Sequence, residues 1–156
     1  MTTDHFDSVH SVAQYALYIL QDEFPNGVSV ASPQRFELPA GSTQVVTEVA
    51  GVGAHAVVLV SAPVAIGVPP SPEVFEFVAR QGGRPSLGSL VVVDHPDGTL
   101  LNVFVVHHIY GSCLDRAELL TSVANVASQA DDLDEEFVSR FGGQRLTDVV
   151  SESPRI

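Results

Sequence analysis

Apolar and polar residues alternate along this chain in two rhythms, and each rhythm predicts its own kind of element. From Val9 to Phe24 the apolar residues Val9, Val12, Ala13, Ala16, Leu17, Leu20 and Phe24 recur at steps of three and four. That spacing puts them on one stripe of a helix. Asp7 or Ser8 caps its start, and Pro25-Asn26-Gly27 ends it. The rhythm then changes to two. Phe36 and Leu38 alternate with Arg35 and Glu37, Gly41-Ser42 turns into Thr43–Ala50, and Gly51-Val52-Gly53 turns into His55–Ala62. These runs predict three strands of an antiparallel meander. Pro63 to Pro70 contains three prolines and reads as a loop.

The second half uses the same two rhythms, with no internal repeat. Ser71 caps a short helix with Pro72 at its first position, where the missing N–H costs nothing. Val74, Phe75, Phe77 and Val78 give it a core face, and Gly82-Gly83 stop it. Leu87–Asp94 and Thr99–Tyr110 form a hairpin about Pro96-Asp97-Gly98. Both faces of the second hairpin strand are largely apolar, which predicts a mid-sheet strand covered on each side. Asp115 then caps a long helix, with Glu118 at the capping-box position and Leu114 and Leu119 at the staple positions. Its stripe runs through Leu120, Val123, Ala127, Ala130, Leu133 or Asp134, Phe137 and Phe141, with a kink expected near Asp131. Phe141-Gly142-Gly143 stop it. The reading is one α+β domain over residues 1–143, an antiparallel sheet of order α-β-β-β-α-β-β-α with helices packed on it. Residues 144–156 are expected to be a frayed tail.

Composition narrows the function. At 156 residues the chain is long enough for one core. Its net charge is −12, and all seven bases are Arg. With no Lys, Schiff-base chemistry and a P-loop lysine are excluded. The acid excess argues against nucleic acid and anionic membrane surfaces; it supplies solubility or steers a basic protein segment toward this surface. One cysteine, Cys113, rules out an internal disulfide. Val49–Val68 carries no formal charge, but its glycines and Pro63 fit two buried strands better than a membrane span. The acidic N-terminal residues lack the plan of a signal peptide, so a cytoplasmic location is expected.

Candidate chemistry is thin. Gly51-Val52-Gly53-Ala54-His55-Ala56 matches a dinucleotide glycine pattern, but it feeds a strand where that pattern needs a helix. His107 and His108 are adjacent on a strand and point to opposite faces, so they do not chelate one metal. His55 can join His107 across the sheet, with no third ligand visible. Cys113 lies at a helix start beside His108, without a visible oxyanion hole. An enzyme or small-molecule sensor using these His and Cys residues is the alternative reading. It requires a pocket into which two or more of them converge. No metal or cofactor is expected. Asp131, Asp132, Asp134, Glu135 and Glu136 place five acids in six positions of a helix, a solvated face or a contact for a basic partner.

The element order, the hairpin about Pro96-Asp97-Gly98, the Leu114-Asp115 helix start, Ala130-Asp131 with Leu133, and the Phe141-Gly142-Gly143 stop resemble the type III secretion chaperone-like fold. Within it the chain is most similar to the YbjN branch and related actinobacterial chaperone-like domains, over roughly residues 6–143. The resemblance implies a non-enzymatic, chaperone-like or adaptor domain that holds an extended partner segment on an apolar groove with an acidic rim. It implies a homodimer through Phe75, Val78, Leu90 and Val92. It places the partner segment on strips that include Leu17, Phe36 and Leu38.

Overall fold

The structure, a computed structural model, describes residues 8–81 and 88–152. Helix α1 (Val9–Glu23) opens on Ser8, whose hydroxyl accepts the Ser11 N–H. Asp7 lies outside the described residues, as do Gly82-Gly83 and Leu87. Four strands follow: β1 (Ser29–Ser32), β2 (Arg35–Ala40), β3 (Thr43–Val52) and β4 (His55–Val68). Helix α2 (Pro72–Gln81) has the expected Ser71 cap, its hydroxyl accepting the Val74 N–H. The hairpin strands are β5 (Ser89–Asp94) and β6 (Leu101–Tyr110). A 3-10 turn, Gly111–Cys113, leads to α3 (Arg116–Phe141), and α4 (Leu146–Glu152) closes the described chain.

All six strands form one antiparallel sheet in the order β1-β2-β3-β4-β6-β5. The α+β reading is therefore correct, with β1 and α4 added to the expected order. Local chemistry explains the turns that were expected. At the β5–β6 turn the Asp97 carboxylate accepts the N–H groups of Thr99 and Leu100 at 2.9 and 3.1 Å. Gly98 supplies the positive φ of 75° that the turn requires. Asp115 caps α3 by accepting the Glu118 N–H at 2.8 Å, and both staple leucines are buried.

Four expectations change. Pro63 lies inside β4 rather than in a loop. The β3 ladder ends at Val46–Ser61 and a bulge interrupts the β6 ladder after Pro63, so the absent N–H breaks no regular pair. Helix α3 runs unbroken through Asp131. Residues 144–152 are not a frayed tail: Gln144 pairs with Ile66 through two backbone hydrogen bonds of 2.8 and 2.9 Å, and α4 follows. The fourth concerns cover. One sheet face packs α1 and α3, burying Phe36, Val45, Val49, Val58, Val60, Val103 and Val105 against Val12, Ala16, Leu119 and Val126. The other face of β6 is not buried in the same way: Asn102, Phe104 and Val106 are half-buried, and His108 and Tyr110 are exposed.

The stretch Val49–Val68 is the β3–β4 hairpin and the rest of β4. Among the described residues no helix is long and apolar enough to cross a membrane.

Candidate functional site

Residues directly opposite in an antiparallel pair share a face. Register therefore assembles the second sheet face from four strands. Val91 stands opposite Phe104, Ser89 opposite Val106, Val106 opposite Ser61, His108 opposite Leu59, and Tyr110 opposite Val57. Leu59 stands opposite Glu48, and Val57 opposite Ala50. Val57, Leu59, Val91, Phe104 and Val106 are half-buried. Val52, Val93 and Tyr110 at the margins of this face are 60%, 48% and 61% exposed. A contiguous apolar band on an accessible sheet face is the mark of an interaction surface rather than of scattered surface residues. Its polar margin is the β2–β3 corner, where Arg35 bridges Glu37 and Glu48 at 3.2 and 3.1 Å.

The residues expected to hold a partner lie elsewhere. Phe36 and Leu38 are 1% and 9% exposed, on the face that α1 and α3 cover. Leu17 packs half-buried against the same core. Alternation had separated the two faces of β2 correctly, but the helices settle on the Phe36 face, so a partner reaching these side chains would have to displace α1. Of the dimer candidates, Leu90 is buried and Val78 and Val92 pack against the core. Phe75 is the exposed one, at 49%.

The five acids of α3 divide by helical phase. Asp134 lies on the inward stripe with Ala130 and Phe137 and is buried. The Ser42 hydroxyl, at the β2–β3 turn, bridges Asp131 and Asp134 at 2.6 and 2.5 Å, and the Ser42 N–H donates to Asp131 at 3.1 Å. These two carboxyl groups tie a sheet turn to a helix; Asp134 is buried there, while Asp131 remains exposed. The hydrogen bonds from the Ser42 side chain and N–H hold the Asp131 carboxyl below its ordinary range, assisted by the Arg145 charge. Asp132, Glu135 and Glu136 are exposed. The stripe Ala130–Asp134–Phe137 was the sequence signal that separates Asp134 from its neighbours.

At the C-terminal end of α3, just past the acids, three phenyl rings pack together. Phe77 of α2 meets Phe137 and Phe141 edge-on, with centroids 5.5 and 5.3 Å away, and Phe137 and Phe141 are 4.8 Å apart. The Arg140 guanidinium lies over both Phe77 and Phe141, at 5.5 and 4.9 Å.

The histidines and the cysteine do not converge. His55 meets Tyr110 edge-on at 5.9 Å on the open face. His107 points to the helix side, 3.7 Å from Glu118, while His108 points to the open face. Cys113 is exposed in the 3-10 turn, with Ser112 as its hydrogen-bond neighbour at 4.0 Å. Among the described residues no three His, Cys, Asp or Glu side chains are grouped to hold a metal ion. His107 and His108 thus point to opposite sheet faces among the described residues, while Cys113 sits in the 3-10 turn.

Comparison with known proteins agrees with this geometry. A family model described as "T3SS (YopN, CesT) and YbjN peptide-binding chaperone 1" matches residues 12–149. The crystal structure of YbjN from E. coli superimposes with a TM-score of 0.56 at 14% identity, covering 86% of this chain and 94% of that one. At that identity the likeness is one of fold. No curated protein matches the chain in sequence.

Proposed function

Since the chain belongs to the family of T3SS (YopN, CesT) and YbjN peptide-binding chaperones, we propose that it binds an extended segment of a partner protein, without catalysis, on the open face of its sheet. The observation that carries this reading is the half-buried apolar band of Val57, Leu59, Val91, Phe104 and Val106, on the sheet face opposite the one that packs α1 and α3. An extended segment fits a flat sheet face because its alternate side chains meet the ridges of the strands. The proposed partner segment is apolar with basic flanks, which the net charge of −12 steers toward this protein. The acidic rim and a cytoplasmic setting belong to this proposal. So does a second copy docking on α2 through Phe75, which is 49% exposed.

The test is a selection from displayed peptides, followed by titration of the best binders against the wild type and Leu59→Glu or Val106→Glu. The selected peptides are expected to be apolar with Arg or Lys flanks. Each face variant weakens them by about tenfold or more, and added salt weakens them further. Equal binding to the wild type and both variants, with circular dichroism showing intact folds, refutes the placement of the segment on this face.

A further inference from the structure

In a chain this acidic, a guanidinium without a carboxylate beside it is the exception. Arg35, Arg80, Arg116 and Arg145 all pair with acids at 3.2 Å or less. Among the described residues Arg140 has no such partner; its contacts are the faces of Phe77 and Phe141. It also lines a cleft of about 350 Å³ between α2 and the end of α3, with Glu73, Glu76, Phe77, Arg80 and Gln81. Residues 73, 76, 77 and 80 fall at i, i+3, i+4 and i+7, so one stripe of α2 forms that wall.

We infer that this cleft is a carboxylate-recognition site, taking an acidic side chain or a terminal carboxylate that neighbours an apolar group. The chemistry follows from three features. The Arg140 guanidinium is exposed and lies over the Phe77 and Phe141 rings, and its planar fork of donors suits a bidentate carboxylate. Phe77 supplies an apolar wall for the residue next to that carboxylate. Arg80 adds a second guanidinium, and its pair with Glu76 is at the surface, with side chains 75% and 61% exposed. Such a pair is weak and exchanges partners readily. Glu73, on the same wall, repels an anion placed away from Arg140 and so restricts the docking position. The inference rests on the segment-binding reading for the ligand being part of a peptide, and it adds an anchoring point remote from the sheet face.

Arginine-detected NMR of the full chain tests it with four small probes. Acetyl-phenylalanine carries a terminal carboxylate, and acetyl-aspartyl-phenylalaninamide carries one on a side chain. Acetyl-phenylalaninamide and acetyl-asparaginyl-phenylalaninamide are their neutral counterparts. A carboxylate probe is expected to shift the Arg140 Nε–H signal saturably, about tenfold or more tighter than its neutral counterpart. Whichever carboxylate binds tighter assigns the source. Arg140→Gln removes the preference, and Arg140→Lys, which keeps the charge but not the planar fork, restores only part of it. Neutral probes binding as well as the acids, no shift up to the solubility limit, or an unchanged preference in Arg140→Gln each overturn the inference. Val106→Glu is expected to leave carboxylate binding intact. Failure at Arg140 alone removes this anchoring point and leaves the sheet-face reading standing.

Discussion

Gly111, where β6 ends and the turn to α3 begins, is the site where a single methyl group most directly probes how α1 sits on the sheet. A Cβ built there would stand 2.7 Å from Val12 Cγ2, 3.0 Å from the Ala56 carbonyl oxygen and 3.2 Å from Ala56 Cβ. Carbon atoms prefer about 3.5–4.0 Å, so the overlap with Val12 is close to 1 Å. Val12 is wholly buried and β-branched in a helix, so it has no alternative rotamer to adopt. The Ala56 carbonyl is backbone of β4 and does not swing aside. Gly111→Ala gains about 0.4–1 kcal/mol by restricting the unfolded chain, against an overpacking cost of about 1–3 kcal/mol. The expected net loss is about 1–2 kcal/mol, which lowers the melting temperature by roughly 2–8 °C in a domain of this size. Urea unfolding gives the free energy, with an unchanged slope showing that the unfolded state is the same. The decisive assay is the cycle with Val12→Ala, which vacates the space. The double variant is expected to be more stable than the sum of the singles by about 1 kcal/mol. Additivity within about 0.5 kcal/mol, or a Gly111→Ala chain as stable as its parent, refutes the packing argument.

Three further outcomes follow from the geometry. Phe137→Ala empties the centre of the three-ring seat at a residue 1% exposed, and is expected to cost about 3–5 kcal/mol in urea unfolding, with Phe137→Leu costing clearly less. Ser42→Ala removes the hydroxyl that lies 2.5 Å from the buried Asp134 carboxyl and is expected to destabilise by about 1–3 kcal/mol. Carboxyl NMR titration is expected to place Asp131 and Asp97 below the ordinary aspartate value of 3.8, because hydrogen bonds from Ser42 and from the Thr99 N–H favour their ionised forms. A folded-state value depressed below the unfolded one means that their stabilisation is complete above about pH 4 and is lost as the pH falls through the folded value. Ser42→Ala should move Asp131 upward and leave Asp97 unchanged.

What the sequence made legible was chemistry confined to a few neighbouring residues. The caps at Ser8, Ser71 and Asp115, the Pro96-Asp97-Gly98 turn and the stripes of α1 and α3 each depend on contacts within one turn or a few residues. Elements that depend on distant partners were not legible. Strand β1 is a four-residue edge, exposed throughout, with no alternation to reveal it. The extension of β4 past Pro63 depends on where β3 stops, and α4 on the pairing of Gln144 with Ile66. The same limit applies to the site. Period-two alternation sorted Phe36 and Leu38 from Arg35 and Glu37, yet it holds no information about which sheet face the helices cover. Among the five acids in six positions the helical stripe singled out Asp134, but nothing nearby in the chain pointed to Asp131, whose partner Ser42 lies 89 residues earlier.

The Ile66–Gln144 pairing also has a bearing on the order in which the domain assembles. Most neighbouring strands are joined by short turns, so they can zip up from nearby chain at little entropic cost. The far half of β4 differs: once β3 has ended, its open flank is sealed by a residue 78 positions later, after α2, the hairpin and α3 have been made. Until then an apolar strand edge stays available to strands of other chains. The Ile66–Gln144 bridge thus covers a strand edge that the β3 ladder leaves open. A chain cut after Gly143 would keep that edge open.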